Sequence, residues 1–89
     1  MSNGASQQTP SAQMSEYTLD LIRNEVIRAR ALYPTWQSTH HGYAVMLEEV
    51  DELWDEVRKR AAARDKDNMR RECVQIAAMA IRFIEELLK

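Results

Sequence analysis

Acidic side chains in the middle of the chain are the residues best suited to chemistry. Of the nine positions from 48 to 56, six are Asp or Glu. If this segment is helical, Glu49, Glu52 and Glu56 lie within about 60° of one another, so their charges repel. Two interpretations follow. The acids form a solvated face, or some of them share a divalent cation.

Glu72 stands apart from these acids because its helical neighbours are apolar. The residues on its side of a helix are Met69, Ile76, Met79 and Phe83. An ionised carboxylate buried among them costs free energy unless its charge is compensated. A basic partner such as Arg71 or Arg82 could compensate it, and so could protonation of the carboxyl. The third possibility is a divalent cation that Glu72 shares with Glu49 and Glu52, since Mg²⁺ prefers hard oxygen ligands.

The elements that would position these acids are helices. Residues 1–14 are mainly small and polar and have almost nothing to bury, which predicts a flexible tail before a single domain at 15–89. Beyond the tail, apolar residues recur every three or four positions, and this spacing predicts a first helix. We expect that helix to end near Leu32, because Pro34 disfavours helical geometry at Tyr33.

Two longer helices are predicted after a loop at residues 33–42. The second helix covers about residues 43–63, and its apolar stripe is expected to face the core. That stripe consists of Leu47, Val50, Trp54, Val57 and Ala61, flanked by Met46 and Leu53. Asp65 or Asp67 is expected to cap a third helix that runs to about Leu88. Cys73, Met46, Met69 and Met79 are expected to fill the core.

The third helix carries apolar residues on nearly every side. Such a helix needs partners on several sides, and the two other helices of an 89-residue chain cannot easily supply them. The sequence therefore predicts an all-α fold. Its subunit has three helices, a short one and a long antiparallel pair, and assembles into a homodimer or homotetramer helix bundle.

Composition narrows the range of partners. The formal net charge is −2 and the pI about 5.6, and phosphate-backbone binding needs a basic surface, so nucleic acid is not an expected partner. A single cysteine, Cys73, cannot form an intramolecular disulfide, and no apolar run has the length of a signal peptide core or a membrane span. We expect a cytoplasmic protein with no membrane partner.

The spacing of the acids resembles a known signature. Glu48-Glu49-Val50-Asp51-Glu52 is followed, after nineteen residues, by Glu72-Cys73-Val74-Gln75. This pattern resembles the EExxE and ExxD motifs of the MazG-type all-α nucleoside triphosphate pyrophosphohydrolases, and the resemblance covers about residues 17–88. It implies a Mg²⁺-dependent hydrolysis of nucleoside or deoxynucleoside triphosphates to monophosphate and pyrophosphate, with Mn²⁺ as a substitute metal.

The resemblance also implies roles for individual residues. By position, Glu49, Glu52 and Glu72 would be metal ligands, and Glu48 would be catalytic, either as a further ligand or as a base for the attacking water. Gln75 stands where the family usually has Asp. Its amide oxygen can coordinate Mg²⁺, but it adds no negative charge.

Three further residues are candidates for contact with the nucleotide. His41 and Trp36 lie shortly before the acidic segment, and Arg60 follows it. Each also has a plain interpretation, as an exposed loop residue or, for Arg60, as a cation that suits a helix C-terminus. Trp54, on the apolar stripe, is expected to pack in the core instead.

Two alternatives to catalysis remain, and Gln75 in place of the usual Asp supports the first of them. The chain could be a non-catalytic helical oligomerisation module with a degraded MazG-like site. Glu72 could also pair with an arginine of a partner subunit and so specify the assembly. The sequence leaves both alternatives open.

Overall fold

The computed structural model describes residues 13–89 of the chain, and its regular structure is entirely helical over that range. The helices are α1, Glu16–Leu32, α2, Thr39–Val57, and α3, Lys66–Leu87, with a 3₁₀ turn at Ala61–Ala63. The predicted all-α class and its three helices are thereby confirmed. Residues 1–12, most of the predicted tail, lie outside the described residues. Between residues 13 and 89 no helix is long and apolar enough to cross a bilayer.

The first helix has the predicted limits. The Ser15 side chain accepts a hydrogen bond from the Thr18 backbone N–H and caps the helix start. At the other end Tyr33 is extended, as expected for a residue that precedes proline.

The second helix begins earlier and ends earlier than the sequence predicts. The Ser38 hydroxyl accepts from the His41 backbone N–H at 3.0 Å, so residues 39–42, predicted to be loop, form the first turn. The helix ends at Val57 because the following residues satisfy its last carbonyls differently. The Arg64 side chain donates to the Val57 carbonyl at 2.8 Å.

Glu56 links the end of α2 to the start of α3 by hydrogen bonds. Its carboxylate is buried, 4% exposed, and accepts from the Asp65 backbone N–H, the Asn68 amide and the Lys59 ammonium. These bonds hold the pKa of Glu56 below its usual value, chiefly through the Asp65 N–H. The start of α3 is also capped, since the Asp65 side chain accepts from two backbone N–H groups of its first turn.

The third helix is the centre of the subunit. Both α1 and α2 pack against it, and the core joins Val26 and Ala29 of α1 to Ala78 and Met79 of α3. Trp36, from the α1–α2 loop, completes this core at 6% exposure. One helix with partners on two sides explains why its sequence is apolar over so much of its circumference.

Three residues of the predicted core stripe of α2 lie on the surface, whereas Val57 and the flanking Met46 and Leu53 are half-buried and Ala61 lies in the 3₁₀ turn. Trp54 is 59% exposed, and Leu47 and Val50 are about 40% exposed, at 41% and 42%. The helix instead turns Gly42 and Glu56 inward. Trp54, which was expected to pack in the core, is therefore exposed. Trp36, which was expected to contact the nucleotide, is buried instead. Cys73, expected in the core, is exposed as well, whereas Met79 is buried and Met46 and Met69 are half-buried.

Gly42 allows α2 to approach α3 closely. A Cβ atom at this position would lie 2.9 Å from side-chain atoms of Leu87, Phe83 and Trp36. We therefore expect Gly42→Ala to lower the free energy of unfolding by about 1–3 kcal/mol, although alanine is the better helix former. Urea denaturation would measure this change. A matched Ala44→Gly variant, at an exposed site of the same helix, should cost no more than about 1 kcal/mol. A Gly42→Ala protein as stable as wild type would contradict the close approach.

Candidate metal centre

Three carboxylates from two helices meet between α2 and α3. Glu49 and Glu52 lie one turn apart on α2, and Glu72 reaches them from α3. One oxygen from each lies within 4.8 Å of the others. The sequence-based prediction that these three acids lie together is consistent with this geometry. An oxygen cluster of this size can enclose a divalent cation.

Glu72 lacks a cationic partner in the described part of the chain. Its side chain is buried, with 9% of the residue exposed, yet it forms no ion pair there. The two arginines considered as partners bond elsewhere. Arg71 donates to the Asn68 amide oxygen at 2.9 Å, and Arg82 donates to Glu86 at 2.6 Å. A buried carboxylate beside two others is therefore left without a compensating positive charge from its own subunit.

Gln75 lies one turn after Glu72 and faces the same cluster. With its amide nitrogen turned toward the acids, it donates to Glu49 and, at 3.3 Å, to Glu72. With the oxygen turned toward them, it adds a fourth oxygen to the cluster. The first orientation suits a metal-free site and the second suits a cation, so the amide can serve either state.

Burial and the crowding of negative charge shift Glu49 and Glu52 toward their protonated forms. Burial, followed by repulsion from Glu52 and Glu72, raises the pKa of Glu49 to about 7. Burial and repulsion from Glu72 also raise the pKa of Glu52. A proton shared between carboxylates is thus one way in which the metal-free site stabilises itself.

A groove of about 400 Å³ opens beside these acids. Glu48, Glu49 and Gln75 line it together with Trp36 and His41. The structure therefore brings four predicted site residues besides the central acids to one cavity: Glu48, Gln75, His41 and Trp36. A volume of this size lies within the range of small-molecule pockets.

Trp36 has little free ring surface to offer the groove, because it is only 6% exposed. The Arg82 guanidinium lies 4.7 Å from the centre of its ring, and Phe83 packs edge-on at 6.3 Å. Stacking of a base on Trp36 would require Arg82 to move. His41, in contrast, is exposed at the start of α2, so it is the more accessible of the two.

A second groove, of about 360 Å³, continues from the first between α1 and α3. The two grooves share Glu25, Arg28 and Gln75, and the second adds Arg70 and Arg71. Arg28 forms a two-pronged ion pair with Glu25, at 3.0 and 2.7 Å, and Arg70 pairs with Asp67. Arg71, bound only to an amide among the described residues, retains an unneutralised charge next to the acid cluster.

The structure places Arg60 away from both grooves, so its predicted contact with substrate stays a prediction that neither groove supports. Arg60 is exposed, precedes the 3₁₀ turn and lines neither groove. Arg71 was considered only as a partner for Glu72, although it lies one residue from that acid. A helix places adjacent residues about 100° apart, so Arg71 points to the α1 side while Glu72 points to α2.

The raised pKa values predict how stability depends on pH without metal. Because the folded-state pKa of Glu49 exceeds its ordinary value of 4.5, the folded protein holds this proton more tightly than the unfolded chain. The resulting stabilisation is complete below about pH 4.5 and is lost as the pH rises through about 7. Glu52 acts in the same direction. The lowered pKa of Glu56 acts oppositely, but below this window.

Urea denaturation in a chelator between pH 4.5 and 8 would test this dependence. We expect the free energy of unfolding to fall across the window in wild type and to change much less in Glu49→Gln, which has no proton to lose. Equal slopes in both proteins would show that Glu49 does not carry the effect.

Comparison with known proteins does not identify a family for the chain. No family model, no curated protein and no solved structure matches it. The acid cluster and the two grooves are therefore the features of the molecule that bear on its function.

Proposed function

We propose that the protein is a Mg²⁺-dependent hydrolase that converts nucleoside or deoxynucleoside triphosphates to monophosphate and pyrophosphate. The observation that carries the proposal is the Glu49–Glu52–Glu72 cluster, whose buried member has no cationic partner among residues 13–89. The resemblance to the MazG-type signature supports the same reaction, which controls nucleotide pools. We propose a cytoplasmic location on the same ground, because nucleoside triphosphates are cytoplasmic substrates.

The donor set suits Mg²⁺. The ligands would be the carboxylates of Glu49, Glu52 and Glu72, with the amide oxygen of Gln75 as a weaker fourth ligand. All are hard oxygens, and neither His nor Cys belongs to the cluster, which disfavours zinc. Glu52 is exposed, so water and phosphate oxygens can approach the cluster from that side. When bound, Mg²⁺ supplies the charge that offsets the phosphates and lowers the pKa of a water molecule.

The chain's own residues account for proton transfer and orientation. Glu48 lines the first groove one residue before Glu49, where its carboxylate can accept a proton from the water that attacks the α-phosphorus. The bond from that phosphorus to the bridging oxygen then breaks, and pyrophosphate leaves. His41, exposed at the groove wall, is placed to contact the base or sugar.

The second groove supplies the cations that the leaving group needs. Pyrophosphate carries several negative charges, and the acids beside it would repel them. Arg71 has no carboxylate partner among the described residues, so it can bind a phosphate without first losing an ion pair. Arg28 would have to exchange Glu25 for phosphate, since Glu25 holds it in the present arrangement. We therefore assign the larger contribution to Arg71.

Product analysis tests the reaction directly. Purified protein with Mg²⁺ and a panel of nucleoside triphosphates should release pyrophosphate and not inorganic phosphate. Glu52→Gln should lower the rate by about 100-fold or more, as expected for the loss of charge at a metal ligand. Asp51→Asn is the matched control, because Asp51 is an exposed acid of the same helix outside the cluster. Activity that survives in Glu52→Gln, or falls equally in Asp51→Asn, would contradict the proposal.

Gln75 favours a second candidate, a non-catalytic helical module. Its amide nitrogen can donate to both Glu49 and Glu72, which would satisfy the acids without a metal. Gln75→Asp distinguishes the two functions, because it restores the residue that the MazG-type signature carries. If wild type is an enzyme, we expect the variant to bind Mg²⁺ more tightly and to hydrolyse the same substrates. If pyrophosphate appears only with Gln75→Asp, the native site is degraded.

A further inference from the structure

The Arg82 guanidinium is buried, yet one of its nitrogens has no hydrogen-bond partner in the described part of the chain. The residue is 1% exposed. Its Nε donates to Glu86, and its Nη2 donates to Glu86 and to the Pro34 carbonyl. Nη1 donates to no group among residues 13–89. Because no fully buried side-chain nitrogen or oxygen in that range lacks a partner, Nη1 is an atom that solvent still reaches.

The shape of the guanidinium directs Nη1 into the first groove. Arg82 lines this groove and also a smaller cavity, of about 340 Å³, beside Glu86. A guanidinium is planar, and both Nε and Nη2 donate to Glu86, so Nη1 points away from that carboxylate. The first groove is the cavity that Glu86 does not line. The Trp36 ring, 4.7 Å from the guanidinium carbon, holds this donor in a fixed position.

The third helix sets the distance from this donor to the acid cluster. Gln75, Met79 and Arg82 follow one another at steps of four and three residues, so they lie on one side of α3. All three line the first groove. The seven residues from Gln75 to Arg82 correspond to a rise of about 10 Å. A nucleotide whose α-phosphate lies at the acids spans a comparable distance and would bring its base to Arg82.

The charge of Arg82 is already neutralised, which favours a neutral ligand group at Nη1. Glu86 forms an ion pair with Arg82 at 2.6 Å, and the side chains of both residues are mostly buried. A phosphate would have to compete with that carboxylate, whereas a carbonyl or ring nitrogen of a base would not. The groove around Nη1 includes the apolar side chains of Ala29, Val45 and Met79. Apolar walls with a few fixed polar groups are typical of small-molecule sites.

The N–H groups of Nη1 discriminate between bases. A guanidinium donates hydrogen bonds and never accepts them, so a base edge with two adjacent acceptors suits its two N–H groups. Guanine has such an edge in O6 and N7, whereas adenine places its amino group beside N7. Cytosine has one in O2 and N3, whereas uracil carries a hydrogen on N3. A donor that faces Nη1 leaves both groups without a partner, and this costs binding energy.

We propose that Arg82 selects the base of the nucleotide through Nη1, in favour of guanine over adenine and of cytosine over uracil. The inference rests on the proposed function, since it takes the α-phosphate to lie at the acids. Arg82 is then a specificity-determining residue. The preference comes from hydrogen bonds to the edge of the base and does not require the base to stack on Trp36.

Hydrolysis of the natural nucleotides tests this preference. Initial rates below KM, with Mg²⁺, give kcat/KM for GTP, ATP, CTP and UTP. We expect a value at least about 10-fold higher for GTP than for ATP, or for CTP than for UTP. A preference in one pair alone supports the inference and identifies the base. Equal values within both pairs overturn it, even where pyrophosphate release confirms the proposed function.

Base analogues test the hydrogen bonds without a change in the protein. The triphosphate of 7-deazaguanosine lacks the N7 acceptor, whereas inosine triphosphate keeps O6 and N7 and lacks the amino group. We expect the first to lose the advantage of GTP and the second to keep it. The triphosphate of 3-deazacytidine serves the same purpose for cytosine. Deaza analogues that are hydrolysed as well as their parent nucleotides overturn the inference.

Arg82→Lys removes Nη1 and keeps a cation beside Glu86. A folded variant should lose the base preference and still hydrolyse nucleotides. Arg30→Lys is the matched control, because Arg30 also contacts Glu86 but does not line the first groove. It should keep the wild-type preference. A folded Arg82→Lys protein that keeps the preference overturns the inference, and if this variant does not fold, the base analogues decide.

Binding of nucleoside monophosphates separates this inference from a failure of the proposed function. Calorimetric titration with GMP, AMP, CMP and UMP in Mg²⁺ requires no hydrolysis. Tighter binding of GMP than AMP, or of CMP than UMP, by a protein that releases no pyrophosphate would support the base site and reject the hydrolase. A protein that neither binds the four monophosphates nor hydrolyses the triphosphates would overturn both.

Discussion

Glu72→Ala is expected to abolish saturable binding of Mg²⁺ and Mn²⁺, with a loss of affinity of about 100-fold or more. Glu72 is the one carboxylate that α3 contributes to the cluster, so without it the remaining acids, Glu49 and Glu52, both come from one helix. Calorimetric titration with each metal, with and without a non-hydrolysable triphosphate, would measure the loss.

The same variant should not weaken the fold. Removal of a buried acid relieves the repulsion that raises the pKa values of Glu49 and Glu52. In a chelator we expect the free energy of unfolding to rise by about 1 kcal/mol. In wild type, saturating Mg²⁺ should raise the unfolding temperature by mass action, and in Glu72→Ala it should not.

Asp51→Asn provides the control for both measurements, because it removes an exposed carboxylate from the same helix and leaves the cluster intact. Persistent metal affinity in Glu72→Ala would mean that the cluster is not the binding site. If wild type itself shows no heat at millimolar metal, the acids are a solvated face, and the Glu72 charge must be compensated by protonation or by a partner subunit.

Arg82→Ala is expected to cause the largest loss of stability, about 3–5 kcal/mol. Arg82 is 1% exposed and connects α3 to the α1–α2 loop. It donates twice to Glu86, at 2.6 and 3.0 Å, and once to the Pro34 carbonyl at 3.0 Å, and it lies over Trp36. Its removal leaves the mostly buried carboxylate of Glu86 with the longer contact to Arg30, at 3.4 Å, and the backbone N–H of Trp36.

Denaturation by urea or heat would measure this loss. Arg23→Ala removes an arginine whose pair with Asp20 is exposed on both sides, so it should change stability by no more than about 1 kcal/mol. Because a small domain has only about 5–15 kcal/mol of stability in total, Arg82→Ala could be unfolded at 37 °C while Arg23→Ala is not. Equal stability of the two variants would show that Arg82 does not hold the α1–α2 loop to α3.

Local sequence features were sufficient to predict the three helices, the limits of α1 and the start of α3. The limits of α1 followed from the apolar spacing and from Pro34, since a proline acts on its immediate neighbour whatever the rest of the chain does. The start of α3 followed from an aspartate able to cap it. The start of α2 was missed by four residues, because Ser38 was not recognised as the capping residue and the histidines after it were taken as loop.

The sequence also identified the acids. Glu72 was conspicuous because a carboxylate among apolar neighbours needs compensation, and this requirement depends only on helical spacing and on the cost of burying charge. The apolar row of Leu47, Val50 and Trp54 was equally evident. Periodicity shows that a face is apolar, but it does not show which molecule covers that face. The row was therefore assigned to the core of the subunit, where it does not lie.

Only the tertiary structure decided how these pieces meet. Packing of α1 and α2 on opposite flanks of α3 buries Trp36 and exposes Trp54, joins Glu72 to Glu49 and Glu52, and places Arg71 in a groove next to them. Each of these contacts depends on how the three helices are rotated about their axes relative to one another. That rotation is set by packing between residues that are distant in sequence. Helical spacing within one segment carries no information about that rotation, and this is the physical reason why the acids were found from sequence and the grooves were not.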